Sequence, residues 1–294
     1  MRILLTGAGG QLGRTLIDRL PTEWDIHPFT SGELNITHYP SVKHRFLNLR
    51  PDVVINAAAY TAVDKAESEP EHAIAVNAEG PALLAEAANQ TGARLIHVST
   101  DYVFDGNKST PWVEGDTPSP INVYGLSKFA GEVRLINTLP DALIVRSSWV
   151  FSEYGQNFVR TMLDIGLQRR QLSVIEDQIG NPTYAGDLAD FLIFLAQKPQ
   201  VKGVLHFAGN ETISWFGFAQ AIFQAATAIC PAYASMQLTP ISSEQWPSPA
   251  KRPRNSVLCS LRLAELGFPS SDWRARLSEV VPQLLAANVL KKAN

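Results

Sequence analysis

Tyr124 and Lys128 stand four residues apart in Tyr124-Gly125-Leu126-Ser127-Lys128. On a helix that spacing stacks a phenol and an ammonium on one face, a turn apart. A free phenol ionises near pH ~10 and trades protons poorly at neutrality. A neighbouring cation favours the phenolate, lowers that pKa and fits the group for acid/base work. Two dozen residues earlier, Ser99-Thr100-Asp101 closes a run of apolar residues and places a hydroxyl and a carboxyl at a strand end. A hydroxyl there can hydrogen-bond a carbonyl that a phenol protonates. Tyr-x-x-x-Lys alone also turns up on ordinary amphipathic helices, so its weight depends on the elements around it.

Those elements begin at the N-terminus. Arg2 to Thr6 reads as a short buried strand, followed at once by Gly7-Ala8-Gly9-Gly10-Gln11-Leu12-Gly13 and a helix that Pro21 stops. Gly7, Gly10 and Gly13 give a tight turn, close backbone approach to a pyrophosphate and close helix packing, the context of a dinucleotide site. The helix start offers free N–H groups to phosphates. Asp25 to Phe29 reads as the second strand, whose end in such sites often carries an acid for the adenosine ribose. Thr30 and Ser31 stand there, with Glu33, Asn35 and Ile36 just beyond and no arginine beside them in sequence. The hydroxyls suit a 2′-phosphate better than a carboxylate would, so the lean is to NADPH, with NADH open. Further strands at Asp52 to Asn56, Arg94 to Ser99 and Ala142 to Ser147 alternate with helices, which implies an α/β, Rossmann-type, doubly wound parallel sheet. Ala59, Tyr60 and Thr61 follow the third strand, and Val98 lies in the fourth.

Composition limits the remaining classes. The 294 residues, 45% hydrophobic and 18% charged, describe a globular chain with ample core. A net charge of −3 gives no footprint for nucleic acid or an anionic membrane. Two cysteines make neither a disulfide framework nor a zinc signature, and the histidines lack metal-type pairing, so no metal is expected. With no signal peptide and no apolar run long enough to span a bilayer, the expected setting is the cytoplasm.

After residue 150 the pattern changes, with proline-rich segments between helices. The expectation is a cofactor domain over residues 1–150 and a smaller, discontinuous, mainly substrate-binding part over 151–294. Pieces of 170–208 would complete the sheet. Trp149, at a strand end by the cleft, suits an aromatic pocket wall. Asn157 reads as a helix cap before it reads as a phosphate contact.

The glycine turn, the strand-end hydroxyl and the Tyr/Lys pair together resemble the short-chain dehydrogenase/reductase superfamily, and the length resembles its extended, nucleotide-sugar branch. Longer strings narrow this. They include Arg50-Pro51-Asp52-Val53, Asn56-Ala57-Ala58-Ala59-Tyr60-Thr61, Ser99-Thr100-Asp101-Tyr102-Val103-Phe104-Asp105-Gly106, Arg146-Ser147-Ser148-Trp149, Gln178-Ile179-Gly180-Asn181-Pro182-Thr183 and Arg252-Pro253-Arg254. They resemble the dTDP-4-dehydrorhamnose reductase family over most of the chain. The resemblance implies a dTDP-sugar substrate, Tyr124 as proton donor to its C4 oxygen, Lys128 as the cation that lowers its pKa and holds the nicotinamide ribose, and Thr100 as the carbonyl-polarising hydroxyl. It also implies Gly10, Gln11 and Leu12 at the pyrophosphate, Ala59, Tyr60 and Thr61 near the cofactor, and Asp101 and Trp149 at the sugar. Arg252 is a candidate for the diphosphate. Some relatives use acidic residues for a metal at a dimer contact. Arg14, Thr15, Ala185 and Gly186 occupy those positions here, so neither that metal nor that dimer is expected, while another homodimer stays open. The resemblance leaves two other readings. One is a sister enzyme acting on another nucleotide-linked keto sugar; the other is a non-catalytic partner like the regulatory subunit of methionine adenosyltransferase.

Overall fold

The computed structural model describes residues 1–293, with side chains through residue 287. The chain alternates strand and helix: β1 (Arg2–Thr6), α1 (Gln11–Arg19), β2 (Asp25–Phe29), α2 (Tyr39–Leu49), β3 (Val53–Asn56), α3 (Gly80–Thr91), β4 (Arg94–Thr100), α4 (Val123–Thr138) and β5 (Leu143–Ser147). There follow α5 (Phe158–Gly166), β6 (Gln171–Ile175), α6 (Ala185–Ala196), β7 (Gly203–His206), α7 (Trp215–Thr227), β8 (Gln237–Ile241) and α8 (Trp273–Ala293).

Six strands form one parallel sheet in the order β7-β5-β4-β3-β1-β2. Its strands are apolar on both faces because helices cover both. Ile3, Leu5, Val53, Ile55, Ile96 and Val145 pack with α1 and α6 on one side. Their neighbours Leu4, Val54, Leu95 and Ile144 pack with α2 and α3 on the other. Strand order reverses between β1 and β3, the crevice where open α/β sheets bind ligands.

Only part of the C-terminal half joins the sheet. β7 takes the edge beside β5, and α6 packs on α1. β6, by contrast, leaves the sheet and pairs in parallel with β8 over Gln171–Ile175 and Gln237–Ile241. Its alternating exposure explains this, since the central sheet accepts strands buried on both faces. A separate apolar cluster, with Phe151, Phe218, Tyr233 and Trp273 fully buried, unites α5, α7 and α8.

A continuous helical run leads into α3. Pro70–Ile74 is α-helical, Ala75–Glu79 widens to a π turn, and α3 follows. The π turn delivers the buried Asn77, which accepts from Tyr60 N–H at 2.8 Å and donates to Ser127 Oγ at 2.9 Å. Such turns are frequent at functional sites. Gly131 of α4 lies against it, where an added Cβ would fall 2.0 Å from the Asn77 carbonyl oxygen. Helix propensity alone would favour alanine there by about 1 kcal/mol. The backbone clash costs about 1–3 kcal/mol or more and wins. Gly131→Ala is therefore expected to lower the urea midpoint, and an unchanged or raised midpoint would show that the two helices can separate freely.

Candidate active site

The cradle at the carboxyl end of β1 is shaped by backbone contact. Gly7 sits at φ +73°, and a Cβ on it would lie 2.6 Å from the backbone of Ala57 and Ala58 beyond β3. A Cβ on Gly13 would lie 2.1 Å from the Gly7 oxygen. Gly10 caps α1 with no side-chain hydrogen bond, and the first turn holds no acid. The N–H groups at this helix start therefore face the crevice without an internal anion, which fits a pyrophosphate. Leu12 packs into the core from this turn. The Gln11 side chain is drawn elsewhere, its Oε1 accepting from Ser152 at 3.0 Å and Asn157 at 2.9 Å. Asn157 also caps α5, accepting from Arg160 N–H at 3.0 Å.

At the end of β2, Thr30 gives both its N–H and its hydroxyl to the Glu33 carboxylate, at 2.8 and 2.7 Å. Those bonds hold Glu33 below the usual carboxylate range. An arginine does stand here, contrary to the sequence-based expectation: α2 brings Arg45 over the Phe29 ring, 5.0 Å from its centre. It was hidden because helix geometry, not proximity in sequence, supplies it. Asn35 turns inward on Thr37, and Ile36 is buried beneath Gly80. Ala59 and Tyr60 line the crevice half-buried, Thr61 is exposed, and the Tyr60 hydroxyl donates to Glu69.

The reactive groups meet where β4 ends and α4 begins. Asn122 caps α4 through a 2.7 Å bond from Gly125 N–H. A Cβ on Gly125 would lie 2.1 Å from the Tyr102 oxygen, so α4 starts in backbone contact with the segment after β4. The Tyr102 and Tyr124 rings meet edge to face at 5.6 Å. Burial pushes the Tyr124 phenol up to about 12; a hydrogen bond with the Thr100 hydroxyl pulls it down, and Asp101 pushes it up. Lys128 is 2% exposed, and its Nζ donates to the Val98 carbonyl at 2.7 Å with His97 Nε2 at 3.3 Å. Desolvation lowers its pKa to about 8, against the pull of Glu132 one turn on.

The expected lowering of the phenol by its lysine is outweighed here by burial, the largest influence on the phenol. Nζ is anchored to the sheet backbone. Such a phenol stays protonated at neutral pH and has a proton to donate.

Asp101 accepts from the Thr100 hydroxyl at 2.9 Å, while its Oδ2 is buried with no partner in hydrogen-bond geometry. Burial raises its pKa to about 7, eased by Ser256 and Thr100. Trp149, just past β5, occupies the left-handed region at φ +47°, uncommon for a bulky residue. Its indole stacks on Trp215 at 3.4 Å and covers Gly180, where a Cβ would strike the ring at 2.6 Å. Arg252 grips Asp64 through two bonds, 3.0 and 2.7 Å, and lies against Tyr102.

Sequence reasoning missed Trp215, His97 and Glu132. Only Glu132 left a signal, standing eight residues after Tyr124 on the same helix face.

A glycine-lined cradle at a Rossmann switch point, facing a tyrosine and a lysine on one helix, defines a nicotinamide-dependent oxidoreductase of the short-chain type. The family model described as the RmlD substrate binding domain matches residues 1–286. A dTDP-4-dehydrorhamnose reductase of Aggregatibacter actinomycetemcomitans is 44% identical, covering 95% of this chain and 98% of that one. A probable dTDP-4,6-dihydroxy-2-methyloxan-3-one 4-ketoreductase of Streptomyces antibioticus is 38% identical over 98% and 97%. The crystal structure of the Bacillus anthracis dTDP-4-dehydrorhamnose reductase in complex with NADP superposes with a TM-score of 0.89 at 38% identity, covering 95% and 98%. The chain belongs to the dTDP-4-dehydrorhamnose reductase family.

Asp101 generates a prediction about stability. A carboxyl whose folded pKa is raised from 3.8 to about 7 stabilises the fold below pH ~4 and loses that stabilisation as pH rises through 7. Asp101→Asn is expected to flatten this dependence, gaining up to about 4 kcal/mol over wild type at pH 8 and nothing near pH 4. Denaturant melts at the two pH values read it. Equal differences at both would mean that the carboxyl does not titrate in this window.

Proposed function

We infer that the chain reduces the 4-keto group of dTDP-4-dehydro-6-deoxy-L-mannose, giving dTDP-L-rhamnose, with NADPH or NADH as reductant. The arrangement that carries this is the Tyr124 phenol beside the Thr100 hydroxyl, one helical turn from a buried Lys128. A bound nicotinamide supplies hydride to the keto carbon. Every other element of the reaction belongs to the chain.

A carbonyl oxygen placed between Thr100 and Tyr124 would receive the phenol proton, and the Thr100 hydroxyl too once its single proton turns away from Asp101 Oδ1. Charge gathers on that oxygen as the bond order falls, and donors aimed at developing charge are what lowers such a barrier. Tyr124 then releases its proton to the oxygen. A phenol pushed up to about 12 gives up a proton reluctantly, and the Lys128 ammonium supplies the field that makes the phenolate tolerable. Asp101 Oδ2 and Gln178 Oε1 are buried without partners and Trp149 offers a ring face, groups that suit a sugar with several hydroxyls.

We propose that residues 1–150, with α6 and β7, hold the dinucleotide, and that the rest mainly holds the sugar nucleotide. Gly7, Gly10, Gln11, Leu12 and Gly13 would take the pyrophosphate through their backbone. Thr30 and Arg45 would face the adenosine end. A cytoplasmic setting, where both nucleotides are made, completes the reading, and its chemistry needs no second copy of the chain. A sister 4-keto sugar is the second reading, favoured by the Streptomyces antibioticus relative.

Nicotinamide oxidation with dTDP-4-dehydrorhamnose tests the proposal. Tyr124→Phe is expected to lose about 10²–10⁴-fold in kcat while still binding cofactor. Near-normal turnover by this variant would remove the phenol from the mechanism, and a folded wild type inert toward this sugar would favour the sister substrate. The coenzyme end makes a separate prediction. If Arg45 meets a 2′-phosphate, Arg45→Ala should raise the KM for NADPH roughly tenfold, the worth of one charge-assisted contact. The KM for NADH should stay put; equal changes for both would place Arg45 outside the site.

A further inference from the structure

Behind Lys128 runs a buried chain of polar side chains that the reduction does not use directly: Thr6, Asn56 and His97, on three neighbouring strands. Each is at most 1% exposed. Its hydrogen bonds allow only one assignment of protons. Ala58 N–H donates to Asn56 Oδ1 at 3.1 Å, and an N–H cannot accept, so this oxygen is fixed. Thr6 donates to the same oxygen at 2.6 Å. The Asn56 amide nitrogen must therefore be the group 2.9 Å from His97 Nδ1, and it donates. Nδ1 then carries a lone pair. A neutral imidazole with a bare Nδ1 has its proton on Nε2. Nε2 is the atom that faces Lys128 Nζ at 3.3 Å.

We propose that His97 is a positioning residue whose tautomer, dictated by Asn56, turns an N–H toward Lys128 and so loosens the proton that the lysine must keep while Tyr124 works. An ammonium facing an N–H gains nothing from it, whereas an amine accepts from it. The relay thus favours the neutral lysine, and burial adds to the same effect. His97 cannot relieve this by taking a second proton, because burial and the lysine hold its own pKa well below the usual range.

The other charges around Lys128 oppose or bypass the relay. Glu132, on the same helix, favours the ammonium but is shared with Arg146 of β5 through bonds of 2.9 and 2.6 Å. Glu67 holds Val123 N–H at the start of α4. Glu79 pairs at the surface with Arg134. Asp101 and Tyr102, from the segment after β4, face Tyr124 and not the amine. His97 is therefore the titratable group from another element that touches Nζ.

The consequence is an alkaline limit on reduction. Lys128 holds its proton below about pH 8, so its contribution to the rate is constant there and falls as pH rises through that value, while the Asp101 carboxyl titrates separately at about 7. This consequence rests on the reductase reading; the tautomer does not. Nitrogen-15 NMR of the imidazoles reads the tautomer in the wild-type protein whether or not any sugar is turned over. The expected spectrum has His97 protonated on Nε2 and bare on Nδ1, and protonation on Nδ1 would overturn the proposal.

Asn56→Asp tests the coupling. A carboxylate keeps the bonds from Ala58 and Thr6, which hold it ionised, and needs a proton on His97 Nδ1. The ring then presents a lone pair to the ammonium. The alkaline limb of kcat is expected to move up by about one pH unit, with the plateau below it kept within roughly threefold. A folded Asn56→Asp protein with its limb in the wild-type position would also overturn the proposal. Should this variant fail to fold, the wild-type ring spectrum decides alone.

Discussion

Burying an ammonium against a sheet is the constraint from which most of this site follows. Lys128 is almost wholly removed from water, and a lone charge in such a place would cost many kcal/mol. Its neighbours make it tolerable. The Val98 carbonyl accepts from it, Glu132 lies one turn along the same face, and Arg146 clamps Glu132 in turn. The ladder Tyr124, Lys128, Glu132 runs straight down α4, because residues four apart on a helix share a face. Its last rung, Arg146, comes from β5, and Arg146 also lies over the Phe104 ring at 5.1 Å. A buried pair of this kind is weak evidence for stability, since removing water from two charges offsets much of their attraction. Its evident use is to hold charge at a fixed place behind the phenol.

The same economy governs the dinucleotide end. Two glycines are in backbone contact with other segments, so the turn after β1 has no slack, and α1 must begin where its free N–H groups face the switch point. Gln11 then ties that turn to the far half of the molecule through Ser152 and Asn157. Gln11, the first residue of α1, is thus bonded to the residue that caps α5. The positions of α1 and α5 are thereby fixed relative to each other.

Much of this was legible in sequence, for reasons that differ by element. The glycine turn could be read because steric need fixes residue type, as at Gly7 and Gly13. The strands could be read because a sheet covered on both sides demands unbroken apolar runs, as in Leu95 and Ile96. Tyr124 and Lys128 were visible through a local period of four residues. What escaped depends on contacts between strands. Asn56 and His97 meet because β3 and β4 are paired in register, with Asn56 opposite His97. No spacing along the chain encodes that. Arg45 was invisible for the same reason, being carried to β2 by α2. The path of β6 escaped because a short strand's pattern tells its exposure more clearly than its partner.

Trp149 shows how the two halves meet in one residue. It follows β5 directly, so the sheet fixes where its backbone lies, yet its left-handed φ turns the indole away from the course of the strand. Such a conformation costs of order 1–3 kcal/mol for a non-glycine residue and persists only when its surroundings over-determine it. Here they do. Trp215, from the first turn of α7, stacks on one face at 3.4 Å, and Gly180 leaves room for the edge that any larger residue would block. An aromatic wall fixed from both halves would, if the proposed sugar sits against it, set that sugar's distance from the phenol on α4. Rigidity at this wall and the buried charge behind the phenol therefore serve the same end, a reacting carbonyl held where the donors already point.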